Sequence, residues 1–143
     1  MAIELGIDRA VIFAGANKEA ASYMSLFDFS VLTSEEEGCP NSVMESLSAG
    51  TPVVASAVGG IPELMLNREH GLLVPPNDAA ALADAITWMI EHPAERRLMG
   101  ERAAVRMRRE FSADRMVEDT QALYLQLLRK SQQGRMPLQG QSA

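Results

Sequence analysis

The chain has 143 residues, 47% of them apolar, which suits one domain with a real core. Its 13 basic and 19 acidic residues leave a net charge of −6, a balance that argues against a nucleic-acid-binding surface. The single cysteine, Cys39, excludes an internal disulfide, and no zinc-ligand cluster surrounds it in sequence; a reducing, cytoplasmic setting fits.

The first ten residues, MAIELGIDRA, lack the basic and apolar regions of a signal peptide, and no apolar run is long enough to cross a bilayer. Four short runs then read as strands: Ala10–Gly15, Phe29–Ser34, Pro52–Ala57 and Gly71–Pro75. Each is apolar in the middle rather than alternating, the pattern of strands covered on both faces. Helical segments lie between them. One starts at Lys18 with Ala21, Met24 and Phe27 on one side. A second runs from Asn41 or Ser42 to Gly50, a suitable residue just past a helix end. A short turn of helix has Pro62 near its start. Strand alternating with helix predicts a parallel α/β sheet.

From Asn77 the pattern is helical only. Asn77 or Asp78 caps a helix with Leu82, Ile86, Met89 and Ile90 in one stripe. Pro93 opens another that carries Leu98, Arg102 and Val105. Ser112 caps a third, with Met116, Val117, Leu123, Tyr124, Leu127 and Leu128 on adjacent faces. Residues 131–143 are polar with Gly and Pro, and are expected to form a disordered tail behind a domain of residues 1–130.

Two carboxylates, Glu37 and Glu45, flank the run Gly38-Cys39-Pro40-Asn41-Ser42. Each has a plain explanation. Ser42 and Glu45 have the S-x-x-E spacing of a capping box, and Glu37 ends a loop of three solvated acids. Their place in the chain suggests more. They follow a predicted parallel strand, at the end where open α/β sheets bind ligands. The helix that begins at Asn41 or Ser42 offers free N–H groups to an anion. A carboxylate beside a phosphate is useful when it accepts hydrogen bonds from a vicinal diol. A nucleotide sugar carries a diol on each side of its diphosphate, and two acids flanking a helix start match that order.

The segment EGCPNSVMESLSAGTPVVASAVGGIPEL resembles the E-x7-E region of the retaining glycosyltransferases of family 4, also called group 1, which have the GT-B fold. DRAVIFAG, FSVLTS and EHGLLVPPNDAAALADAI resemble the flanking strands and loop, so the resemblance covers about Gly6 to Tyr124. It implies half of a GT-B fold: a Rossmann-like parallel sheet with flanking helices and a helical C-terminal segment. The implied activity is transfer of a sugar from a nucleotide-diphosphate donor to an acceptor hydroxyl with retention, without metal or other cofactor. Glu45 is implied to bind the ribose and Glu37 to face the donor sugar, as a positioner with a catalytic part. Backbone N–H groups around the donor-binding stretch Gly38, Cys39, Pro40 and Asn41 are implied to reach sugar hydroxyls, Pro40 having none of its own, and those of Ser42 and Val43 the diphosphate.

Two departures accompany the resemblance. Cys39 stands where Phe is common. Nothing before Arg9 resembles the family's first βα unit, with its diphosphate-neutralising Arg and Lys, or the N-terminal acceptor domain. The expectation is therefore a donor-binding piece, inactive alone, with a sheet edge open to self-association. A nucleotide-sugar 2-epimerase-like domain and a degenerate nucleotide-binding or interaction module are the alternatives. Gly59 and Gly60 read as a tight loop where backbone approaches a neighbour or ligand. His70 and His92 read as solvent-facing or capping, and the arginines after Pro93 as a solvated face.

Overall fold

Strand β2 (Val53–Ser56) is buried at all four positions and lies between β1 (Ser30–Leu32) and β3 (Gly71–Val74) in a three-stranded parallel sheet. The computed structural model describes residues 1–133. Val31 pairs with Val54, and Val54 with Leu72. Because side chains alternate across a strand, Val53 and Ala55 face one layer and Val54 the other. The first layer holds Val43 and Leu47 of α2 (Asn41–Ser48), Ile61 and Leu64 of α3 (Ile61–Leu64), and Ala103 and Met107 of α5 (Pro93–Glu110). The second holds Ala85 and Met89 of α4 (Ala79–Glu91), with Leu72, Val74 and Met99. Two covered faces explain why β2 is apolar from Val53 to Ala55.

The caps expected for α4 and for the helix after Ser112 form. The Asp78 side chain accepts a hydrogen bond from the Ala81 N–H at 2.9 Å, and Ser112 Oγ accepts from the Arg115 N–H at 3.2 Å. Gly50, just past the end of α2, has φ +81°, a left-handed conformation natural to glycine. Buried polar bonds pin α2 to the sheet. Ser46 Oγ and Ser30 Oγ are 2.7 Å apart, and Ser46 also donates to the Thr51 carbonyl at 3.3 Å.

Several expectations are corrected. Ala10–Gly15 forms no strand, and Ile12 and Phe13 are 91% and 81% exposed. A strand needs a ladder partner; β1 is the edge of the sheet and does not pair with this run. The helix read from Lys18 is one turn, α1 (Ala20–Tyr23), followed by a 3-10 turn at Met24–Leu26. On α4 the buried positions are Ala85 and Met89, and Ile90 is exposed. On α5 they are Met99, Gly100, Ala103, Ala104 and Met107, so Leu98 and Val105 point outward.

The long helix α6 (Ala113–Gln133) carries its six read apolar residues, Met116 to Leu128, more than half exposed. It extends three residues into the stretch read as a tail; residues 134–143 lie outside the described part.

Candidate donor-binding site

The carboxyl ends of the three strands carry the loops of interest. After β1 the chain runs through Ser34 to Pro40 and enters α2 at Asn41; after β2 it turns through Val58, Gly59 and Gly60 into α3. These two loops touch through backbone. The Gly60 N–H donates to the Gly38 carbonyl at 2.8 Å. A Cβ on Gly59 would stand 1.6 Å from the Glu37 carbonyl oxygen, and one on Gly60 2.5 Å from that of Gly38. Gly59 also has φ +53°. The close approach anticipated for these glycines is thus to the motif loop itself.

The capping box anticipated at Ser42 does not form. Pro40 is the N-cap, without a side-chain cap bond, and Ser42 sits inside the first turn. The same S-x-x-E spacing occurs eight residues earlier, at Ser34 and Glu37, where it joins the two side chains directly in a loop rather than capping a helix: Ser34 Oγ donates to Glu37 Oε1 at 2.6 Å. Glu37 is half-buried and oriented, rather than a loose solvated acid. Ser34 was not singled out from sequence, although its spacing from Glu37 was the available signal.

Glu45 is exposed and lies one helical turn behind Asn41, on the face opposite buried Val43, Ser46 and Leu47. At the helix start, the Val43 and Met44 N–H groups both donate to the Pro40 carbonyl, at 3.2 and 3.3 Å. Among the described residues, the N–H groups of Asn41 and Ser42 have no acceptor. Pro40 itself has no N–H to give. Exposed Cys39 directs its thiol toward Met44 Sδ at 3.7 Å, a contact within the loop.

Two clefts flank these loops. One of about 320 Å³ is lined by Thr33, Ser56, Pro75, Asn77 and Asp78 at the carboxyl ends of all three strands. One of about 510 Å³ runs along the open edge of β1, with Met24, Phe27, Phe29, Val31 and Ser42 in its walls. Neither is lined by Glu37 or Glu45. Among the described residues, no three His, Cys, Asp or Glu side chains gather as a metal site would require. No helix there is long and apolar enough to cross a membrane.

A further cleft of about 410 Å³ lies between α5 and the segment before β3, lined by Glu69, His70, Arg102, Arg106, Arg109 and Glu110 among others. It is a charged seam of the fold at the opposite end of β3. Arg106 donates to the Glu63 carbonyl at 2.9 Å, pairs with Glu110 at 3.4 Å, and lies 5.6 Å from the Phe111 ring centre. Its side chain is 19% exposed, and that of Arg96, paired with Asp28, is 17% exposed, so the arginines after Pro93 are not all a solvated face. His70 is buried too, its Nδ1 accepting from the Leu66 N–H at 3.1 Å. His92 bonds the Trp88 carbonyl at 2.9 Å and stacks on the Trp88 ring between α4 and α5.

Parallel strands covered on both faces, with paired loops and a helix start at their carboxyl ends, define a Rossmann-like domain of the kind that binds ligands there. Residues 1–92 match the family model described as glycosyl transferases group 1, and the chain belongs to that family. It is 28% identical over 132 residues to the N-acetyl-alpha-D-glucosaminyl L-malate synthase of Bacillus anthracis, covering 92% of this chain and 35% of that protein. It is 36% identical over 114 residues to the D-inositol 3-phosphate glycosyltransferase of Corynebacterium aurimucosum, covering 78% and 27%.

Among solved structures, the sucrose-phosphate synthase of Thermosynechococcus elongatus superimposes with a TM-score of 0.82 at 34% identity, covering 90% of this chain and 33% of that one. Anabaena HepE, solved in complex with UDP and with UDP-glucose, gives 0.78 at 26% identity, covering 90% and 35%. The three-stranded parallel sheet with its flanking helices thus matches part of a GT-B glycosyltransferase fold. The chain spans about a third of the length of these relatives.

Proposed function

We propose that this chain is the donor-binding domain of a retaining, family 4 glycosyltransferase, which moves a sugar from a nucleotide-diphosphate donor to an acceptor hydroxyl. The observation that carries the reading is the unspent chemistry at the start of α2. Asn41 and Ser42 present open N–H groups, and Glu45 stands one turn behind them, exposed and free of the capping role its spacing offered. An N–H pair at a positive helix end suits the diphosphate. Glu45 suits the ribose diol, through charge-assisted bonds worth about 1.5–3 kcal/mol each. The similarity to HepE, whose structures hold UDP and UDP-glucose, supports this class of donor.

Glu37 is assigned to the donor sugar, with the loop Gly38-Cys39-Pro40 beneath it. A retaining reaction by double displacement would need a carboxylate nucleophile at the anomeric carbon. Glu37 is instead given a positioning and electrostatic part, with substitution on one face of the sugar and the leaving phosphate assisting. Val43 already shares its N–H with Pro40, so its part in the diphosphate site is secondary to that of Asn41 and Ser42.

The test is amide NMR of the chain with millimolar UDP-, GDP- and ADP-glucose, for the native sequence and Glu45→Ala. Shifts gathered on residues 38–45 and weakened in the variant are expected. Shifts elsewhere, or an identical response of the variant, would overturn the assignment.

A further inference from the structure

The structure assigns Ser34 as the residue that sets the orientation of Glu37, so that its carboxylate is fixed before a donor sugar arrives. This rests on the donor-sugar reading of Glu37 given above.

The argument begins with the unequal treatment of the two acids. Glu45 is exposed on a helix, and among the described residues its carboxylate has no hydrogen-bond partner. Glu37 sits in a loop, where a side chain with three rotatable bonds would otherwise wander, and it is held on two sides. Its Oε1 accepts from Ser34 Oγ at 2.6 Å. The main chain just after it is tied by the Gly60 N–H to the Gly38 carbonyl at 2.8 Å, and Gly59 packs on its own carbonyl oxygen. The hydroxyl occupies one carboxylate oxygen and leaves Oε2 with its full accepting capacity. A carboxylate accepts at both oxygens, so one can be spent on orientation and the other on a sugar hydroxyl.

Ser34 is well placed for this task. It lies two residues beyond the end of β1, close to where the chain leaves the sheet, and its side chain is half-buried. Ser34 is thus the loop residue nearer the sheet, and its bond ties the acid further along the loop back toward the end of β1. Freeing one immobilised side chain costs about 0.5–1.5 kcal/mol of binding, or about twofold to tenfold in affinity.

The experiment compares each of UDP-, GDP- and ADP-glucose with its bare nucleoside diphosphate, by NMR titration of the chain. The sugar increment is the ratio of the two dissociation constants for the donor that binds best. Native chain, Ser34→Ala, Ser34→Thr and Glu37→Ala are titrated, with the amide spectrum of Val54 and Met107 as a check on the core. The expected result is a sugar increment reduced about twofold to tenfold in Ser34→Ala, retained in Ser34→Thr, and abolished in Glu37→Ala, with affinity for the bare diphosphate unchanged throughout.

A Ser34→Ala variant that keeps its increment, or loses sugar and bare diphosphate affinity equally, overturns the inference while leaving Glu37 its role. Absence of an increment in the native chain, or an increment that survives Glu37→Ala, overturns the donor-sugar reading itself.

Discussion

Gly59 and the carbonyl oxygen of Glu37 are in such close contact that a Cβ added to the glycine would stand 1.6 Å from that oxygen. The loop after β2 can shape the loop after β1 only because Gly59 lacks a side chain and tolerates φ +53°. Gly59→Ala is expected to destabilise the fold by about 1–3 kcal/mol and to displace Glu37. Urea denaturation reads the first effect. The second appears as amide shift changes at residues 36–39. An unperturbed loop with full stability would refute the contact.

Glu45→Ala separates the two meanings of its spacing. As a capping-box partner it would cost about 0.5–2 kcal/mol of stability. As an exposed residue with no cap bond it is expected to change stability by less than about 0.5 kcal/mol. Thermal and urea melts of the variant decide between them, independently of ligand.

Gly100 supports the site from behind. A Cβ there would lie 1.9 Å from the Gly50 carbonyl oxygen, where α5 crosses the end of α2. Gly100→Ala raises helix propensity, which alone would stabilise by about 1 kcal/mol. The clash is expected to win, with a net loss of about 1–3 kcal/mol measured by denaturation.

Stability is expected to fall on mild acidification. Burial pushes the His70 imidazole below its ordinary 6.5, and the Arg106 guanidinium adds to this, with Arg102; Glu69 and Glu110 oppose them. The unfolded chain then binds the His70 proton more readily than the folded one. The contribution is fully present above pH 6.5 and is lost as pH drops through 6.5 and the lower folded value. His70→Gln should flatten this part of a stability profile between pH 7 and 5, while the Glu110 carboxylate, held low by its bond to Arg109, titrates below that window.

Donor binding by this chain is expected to be weak. No Lys or Arg occurs between Lys18 and Arg68, so the site offers the diphosphate amide dipoles and no cationic side chain from its own loops. A helix end supplies about 0.3–1 kcal/mol to an anion. A dissociation constant near or above about 1 mM, equivalent to −4 kcal/mol, is anticipated for UDP-glucose by titration. Micromolar binding would contradict this.

Much of this arrangement was legible in sequence, and the failures have physical causes. Val53–Ser56 reads as a buried strand because both of its neighbours and both of its layers lie within the chain. Ala10–Gly15 is similarly apolar but does not pair with the open edge of β1, and pairing is not a property of a segment alone. The buried side of α5 was missed because Gly100, Ala103 and Ala104 are too small to mark a hydrophobic stripe. The spacing of Glu37 and Glu45 was visible. That Ser42 would not cap was not, because this depends on Pro40 starting the helix and leaving Ser42 inside the first turn. His70 is buried through a backbone partner, Leu66 N–H, that no residue pattern announces.

The Gly60–Gly38 bond also makes the loop pair observable. Its amide proton is a built-in reporter, because it exchanges with solvent only when the two loops come apart. Deuterium uptake at Gly60 therefore measures how often the acid-bearing loop unlatches. A nucleotide that settles on the helix start without slowing that exchange leaves the loop as restless as before.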